Sequence, residues 1–151
     1  MTEVFLDSDV ILDFLLKREK FAVHAATIFA LGEQRVLRLH TSTVSFLNVN
    51  YIAESQIGHR DAVLLIRKLR SLVTLQPVDE RTVDWALSKA GGDLEDYVQY
   101  RAAKDGQLDF LVTRNVADYP KEPSFVMTPA LLLKTLPRSG APPPKGRGAT
   151  T

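Results

Sequence analysis

The chain opens with Val4-Phe5-Leu6, and that apolar run stops abruptly at Asp7-Ser8-Asp9. Three consecutive apolar residues without polar alternation predict a strand covered on both faces. Val10, Ile11, Phe14 and Leu15 then recur at the spacing of one helix face, so a helix begins at once. A strand feeding directly into a helix puts Asp7 at the carboxyl end of a buried strand. Open α/β sheets bind ligands along that edge. Asp9 has the chemistry of a helix N-cap. A cap does not explain why a second carboxylate, Asp7, stands at the strand tip.

The rest of the sequence repeats the alternation. Strands are predicted over 36–40, 73–75, 110–113 and 125–127. Helices are predicted over 21–33, 43–56, 60–72, 79–90 and 93–104, and from Pro129 onward, with Gly58, Pro77, Gly91-Gly92 and Gly106 as punctuation. Strands separated by helices predict a three-layer α/β/α sandwich with a central parallel sheet. On the helix 43–56, Val44, Asn48, Tyr51 and Ile52 share a face, which directs Asn48 toward the sheet. On the helix 60–72, Val63, Leu64, Ile66 and Leu69 are expected inward. One domain is expected over residues 1–136. From 137 to 151 the Pro/Gly-rich sequence carries Arg138, Lys145 and Arg147 and no acid, and it reads as a disordered basic tail.

Composition narrows the chemistry. The chain has no cysteine, which removes disulfides, thiolate catalysis and cysteine-ligated metals and fits a reducing, cytoplasmic setting. No apolar run reaches the length of a membrane span and no basic-apolar leader opens the sequence, so no membrane association is expected. His24, His40 and His59 are scattered, against a histidine metal site. There is no Walker loop, no Gly-x-Gly-x-x-Gly and no Gly-x-Ser-x-Gly. The formal charge of +1 owes its sign to the tail. The body before it is slightly acidic, so any nucleic-acid contact must come from local patches.

Two further polar clusters remain. Asp93-Leu94-Glu95-Asp96 opens the helix 93–104, where Asp93 suits an N-cap and Asp96 shares a face with Tyr100 and Ala103. Thr113-Arg114-Asn115 ends the strand 110–113, with Asp118-Tyr119-Pro120 just after. Together, Asp7, Asp9, Asp96 and Asp118, with Asn48, Thr113 and Asn115, are expected at the carboxyl edge of one parallel sheet. Crowded carboxylates raise one another's pKa unless a cation neutralises them. Oxygen ligands without His or Cys select Mg²⁺ or Mn²⁺, ions that assist phosphodiester cleavage.

These residues resemble the PIN domain, a Mg²⁺-dependent ribonuclease fold that includes the VapC-like toxins of bacterial and archaeal toxin–antitoxin pairs. The resemblance runs from about residue 3 to 136. Leu6-Asp7-Ser8-Asp9-Val10 is similar to the family's opening Asp-Thr-Asn-Val motif. Asp96, followed by Tyr100-Arg101-Ala102-Ala103, resembles the third acidic position. Thr113-Arg114-Asn115 with Asp118-Tyr119 resembles the final Thr-x-Asp…Asp-Phe motif. Asn48 aligns with the family's second acid, a Glu on the third helix. Asn48 and Asn115 are departures, amides at two positions that are usually acidic, as in a PIN subgroup.

The resemblance implies a metal-dependent endoribonuclease, the toxin of a toxin–antitoxin pair. Its substrate would be RNA, its partners an antitoxin and a second copy in a homodimer. Asp7 and Asp96 would bind Mg²⁺ or Mn²⁺, Asp9 or Asp118 would assist through water, and Asn48, Thr113 and Asn115 would orient metal waters or the scissile phosphate. Arg101, Lys104 and Arg114 are the candidate phosphate contacts. The basic helix with Arg60, Arg67, Lys68 and Arg70 reads as a solvated face. A PIN-like module that binds RNA or protein without cutting is the alternative. A phospho-receiver domain is a more distant one, and its phospho-acceptor and lysine have no counterpart here.

Overall fold

The computed structural model describes residues 1–89 and 91–137. The tail expected over 137–151 therefore lies, from 138 onward, outside the described residues. Strand and helix alternate from the start: β1 (Thr2–Leu6), α1 (Ser8–Leu15), α2 (Ala22–Glu33), β2 (Leu37–Ser42), α3 (Thr43–Ile57) and α4 (His59–Leu72). There follow β3 (Thr74–Gln76), α5 (Glu80–Leu87), α6 (Leu94–Asp105), β4 (Phe110–Val112), β5 (Val126–Met127) and α7 (Pro129–Thr135). Short polar side chains start most of the helices, as capping chemistry favours, while α2 and α4 start at Phe21 and Gly58 without a side-chain cap. Ser42 caps α3, Asp79 and Thr82 form a reciprocal capping box on α5, Asp93 caps α6, and Thr128 caps α7 ahead of Pro129. The cap of α1 is Asp7, not Asp9, which lies inside the first turn. The strand-tip carboxylate and the cap are thus one residue.

All five strands are parallel, in the order β3-β2-β1-β4-β5. Side chains of a strand alternate between faces, which explains the unbroken Val4-Phe5-Leu6. Val4 and Leu6 enter one core with Leu37, Leu39, Phe110, Val112 and the inner faces of α1, α2, α4 and α7. Phe5 enters the other with Leu111 and Val126, beneath Ala103 and Tyr100 of α6. The architecture is the expected three-layer α/β/α sandwich.

The strand order also locates the site. From β1 the chain winds outward to β2 and β3, then returns to the other side of β1 for β4 and β5. The reversal opens a crevice between the carboxyl ends of β1 and β4, where doubly wound sheets bind their ligands.

Two helix faces differ from expectation. On α3 the buried stripe is Ser45, Val49 and Ala53. Val44 is exposed and Tyr51 is 74 % exposed, so Asn48 lies on the flank of the helix rather than over the sheet. On α4 the inward residues are Ala62, Leu65, Ile66, Leu69 and Leu72, and Leu64 is exposed. In both cases apolar residues occupy two adjacent helical faces, and periodicity does not say which one packs.

Candidate active site

Asp7 sits in the crevice. Its backbone N–H continues the ladder to the Val112 carbonyl (3.0 Å). Its carboxylate accepts from the Ser8 N–H (2.6 Å) and from the Thr113 hydroxyl (2.8 Å). That hydroxyl bridges the ends of β1 and β4 at the switch point, and it also accepts from the Asn115 N–H (3.0 Å). Asp7 is 8 % exposed. Burial and the neighbouring Asp9 charge push its carboxyl pKa up, against the pull of these hydrogen bonds. Tyr119, 4 % exposed, brings its hydroxyl close to this group. Burial, then the charges of Asp7 and Asp96, raise the phenol pKa well above its usual value. The hydroxyl's acceptor is the Asp7 carboxylate, through a contact longer or more bent than an ordinary hydrogen bond.

A second group lies on the outer side. Asp13, 1 % exposed, accepts from Arg114 Nε (2.8 Å) and Arg114 Nη2 (3.4 Å), with Arg18 at 3.6 Å. The Arg114 guanidinium lies 3.9 Å from the centre of the Phe21 ring, a cation–π arrangement. Asp9 faces the same cations, Arg18 at 3.5 Å and Arg114 at 3.9 Å, and accepts from the Asn115 amide (3.3 Å).

The third wall comes from α3 and α6. Asn48 donates its side-chain amide to Glu95 Oε1. Burial raises the Glu95 pKa, helped by the charges of Asp7, Asp93 and Asp9. Asp96 is pushed up to about 7 by burial and by Asp7, Asp93, Asp118 and Glu95, in that order. Its backbone N–H donates to the Asp93 cap (3.0 Å). Below it, Ser42 donates to Gln99 Oε1, and the buried Gln99 Nε2 has no partner among the described residues. The ion pairs of the region go to Asp9 and Asp13. Among the described residues, Asp7, Glu95 and Asp96 form none.

A family model described as PIN domain matches residues 3–117. The chain belongs to the PIN-domain family. Among curated proteins, none matches it in sequence. Its fold is shared with VapC20 of Mycobacterium tuberculosis, a sarcin-ricin loop cleaving toxin, at 14% identity and TM-score 0.58, over 72% of this chain and 86% of that one. VapBC2 of Rickettsia felis, bound to a DNA fragment from its promoter, gives 11% identity and TM-score 0.61 over 83% and 97%. DNA-bound VapBC of Salmonella typhimurium gives 16% and 0.62 over 84% and 97%. At these identities the likeness is one of fold.

The PIN fold gathers Asp7, Asp9, Asn48, Asp96, Thr113 and Asn115 around the crevice. The Asp118 charge reaches Asp96 from an exposed 3-10 turn, Val116–Asp118. The candidate phosphate contacts are engaged elsewhere. Arg114 serves Asp13, Arg101 pairs with Asp105 (3.1 Å), and Lys104 pairs with Glu122 (2.8 Å). Lys104 is eight residues beyond Asp96, roughly 12 Å along α6, away from the carboxyl edge. Sequence reasoning did not single out Glu95, Asp13 or Tyr119. Glu95 and Tyr119 stood inside quoted motifs, but the groups that all three meet, Asn48, Asp7 and Arg114, lie tens of residues away and nothing local announces them.

Among the described residues, no three carboxylate or imidazole side chains stand close enough to hold an ion by themselves. The donor set still fits a hard divalent cation that keeps part of its water shell, as Mg²⁺ does. It offers oxygen donors without imidazole or thiolate, and its carboxyls are raised first by burial and then by neighbouring carboxylates.

Proposed function

We propose that this PIN-domain protein is a metal-dependent endoribonuclease acting as the toxin of a toxin–antitoxin pair. The observation that carries the reading is the crowding of Asp7 and Asp96, both with raised pKa values and without ion-pair partners among the described residues, at the sheet's switch point. Like charges forced together in a half-buried crevice destabilise the empty site, and a cation relieves them. Asp7 and Asp96 would hold Mg²⁺ or Mn²⁺, with Asp9 or Asp118 acting through water. A bound ion would supply Lewis-acid polarisation of a phosphoryl oxygen and an activated water.

The protein groups have separate tasks. Thr113 fixes the Asp7 carboxylate from β4, and the Asn115 backbone N–H holds the Thr113 hydroxyl in turn. Asn48 and Asn115 present amides that orient water or a phosphate oxygen. Arg114, fixed by Asp13 and still near Asp9, lends positive charge beside the cluster, whereas Arg101 and Lys104, held by Asp105 and Glu122 farther along α6, could meet only RNA that runs beyond it. VapB-bound relatives of the same fold support an antitoxin as protein partner, and a homodimer and a cytoplasmic location belong to the same proposal. Among the described residues no helix is long and apolar enough to cross a membrane.

The test is a gel assay with RNA substrates. Cleavage that requires Mg²⁺ or Mn²⁺, stops with EDTA and disappears in Asp96→Asn is the expected result. RNA bound without cleavage in any metal would instead make the chain a non-catalytic module.

A further inference from the structure

We propose that the outer face shared by α5 and α6 is a stacking platform for single-stranded RNA, with Trp85 at its centre. The inference deepens the ribonuclease reading above and rests on it for the choice of RNA as occupant.

Trp85 is the chain's one tryptophan. It lies on the flank of α5, whose buried stripe is Thr82 and Ala86, and it stays half-buried. Its ring stacks on Tyr100 of α6, with centroids 5.9 Å and planes 17° apart, and leans on Tyr97 at 6.3 Å. Tyr100 in turn meets the buried Phe125 edge-on at 5.8 Å, so the stack is anchored to the core. Two cations reach the same indole, Lys89 Nζ and the Arg101 guanidinium, each 5.2 Å from its centre. Lys104 continues the row over Tyr100 at 5.8 Å.

Packing two helices together explains the rings. It does not explain cations laid over them at a half-exposed tryptophan. Rings interleaved with cations are what a single strand meets in proteins that hold it without reading its sequence, because bases stack on the rings and phosphates meet the cations. A duplex offers no free base faces to such a surface. The cations are available for this task. Lys89 forms no ion pair among the described residues, and its flexible stem lets it step aside for a base while keeping its charge beside the next phosphate. Arg101 is held by Asp105 through an exposed pair one turn apart, a weak hold that a phosphate can replace. The position fits as well. Tyr100 stands one turn beyond Asp96, roughly 6 Å along α6, so a strand leaving the crevice along this helix reaches Trp85 next.

The test uses the full chain in EDTA, where no cleavage intervenes, and a single-stranded RNA of mixed sequence, roughly twelve nucleotides long. Trp85 emission reports stacking directly, because no other tryptophan is present. The single strand should quench it, and the same sequence as a duplex should not. Affinity read by anisotropy should fall roughly ten- to hundredfold in Trp85→Leu, and less in Trp85→Phe. Lys89→Ala/Arg101→Gln should flatten the slope of log affinity against log salt by about 0.7 for each charge removed. Melting curves show whether Trp85→Leu stays folded. If it does not, the charge variant and the wild-type quenching decide. Absent quenching, equal quenching by the duplex, an unchanged salt slope, or unchanged affinity in a folded Trp85→Leu each overturns the platform. Emission that ignores RNA but shifts to the blue as the protein is concentrated also overturns it, and gives the face to a second copy. Mg²⁺ or Mn²⁺ is then restored and cleavage read on the same samples. Cleavage where the platform fails leaves the ribonuclease reading standing, and its absence beside Trp85-dependent binding removes the ribonuclease reading alone.

Discussion

Asp7 and Asp13 begin and nearly end the same short helix, and both are buried, yet the protein answers them differently. Asp13 meets the forked guanidinium of Arg114, with Arg18 behind it, cations that work against the upward push of burial on its own pKa. Asp7 meets only neutral donors, the Thr113 hydroxyl and the Ser8 N–H, with Asp9, Glu95 and Asp96 around it. A buried charge with a fitted counter-charge fixes structure, whereas one held by neutral donors among like charges keeps its affinity for a cation. The two groups stand on either side of Asp9, which touches both. The contrast therefore separates scaffold from site within a few residues of sequence.

The contrast breaks most sharply in activity. Asp7→Asn keeps the helix cap through its one oxygen, since Asn caps as well as Asp, and turns its amide N–H toward the Thr113 hydroxyl, which can accept it in place of the bond it donated to the second carboxylate oxygen. Metal-dependent RNA cleavage should fall by roughly 10²–10³ or more, the cost of losing one group that stabilises transition-state charge. The melting temperature of the metal-free protein should hold or rise as like-charge repulsion is relieved. Retained cleavage would remove Asp7 from the chemistry.

Asp13→Asn should do the reverse. Removing one partner of a buried pair leaves the other uncompensated, a loss of about 3–5 kcal/mol for a fully buried pair. Arg114 and Arg18 keep 24% and 28% of their side chains exposed, so roughly 2–3 kcal/mol is expected here. Denaturant unfolding measures it, and Mn²⁺ affinity should be nearly unchanged. An undisturbed midpoint with weakened metal binding would turn the comparison around.

The pH dependence sharpens the same contrast. The Asp96 carboxyl ionises near 3.8 in the unfolded chain and is pushed up to about 7 in the folded one. Below pH 4 both states hold the proton, and between about 4 and 7 only the folded state does. Stability of the metal-free protein therefore falls as pH rises through that window. Above 7 the full cost of the ionised group is present. Melting curves at pH 5 and pH 8 should show the drop, and Asp96→Asn should flatten it. Saturating Mg²⁺ should restore stability at pH 8, because it binds the ionised form. An equal drop in Asp96→Asn would assign the effect to other carboxyls.

The sequence disclosed the layers well and the contacts poorly, for a physical reason. Val4-Phe5-Leu6 had to be a doubly buried strand, and the alternation after it had to make a parallel sheet. Asp7 and Thr113 therefore had to end neighbouring strands once β1 and β4 paired. Asn48 was harder, because α3 carries apolar residues on more than one face and Ser45, not Asn48, packs inward against Ser8 (3.1 Å). Arg114 reads from sequence as a phosphate contact because it follows a strand end. Its bond to Asp13 spans 101 residues, and no local pattern encodes it. Glu95 beside Asp96 looked like first-turn charge suited to the helix dipole, and only the approach of α3 gives it a partner.

The smallest expected effect comes at Asn115, on the border between the two groups. Its backbone N–H supports Thr113 and so Asp7, while its amide donates to Asp9 on the ion-paired side. Asn115→Asp preserves the backbone bond, turns the contact with Asp9 into a repulsion, and adds a charge at the crevice. Without metal, the melting temperature should fall slightly, by an amount typical of one exposed like-charge pair, at most about 1 kcal/mol. With Mn²⁺, the added carboxylate should tighten binding a few-fold, since hard cations prefer charged oxygen to an amide. The metal-induced rise in melting temperature should then exceed that of wild type. The two shifts have opposite signs, so one melting experiment with and without Mn²⁺ separates them. A drop without metal and no extra gain with it would put Asn115 on the scaffold side of the border. Asp118, whose charge already reaches Asp96, would then be the acid that the site draws from that loop.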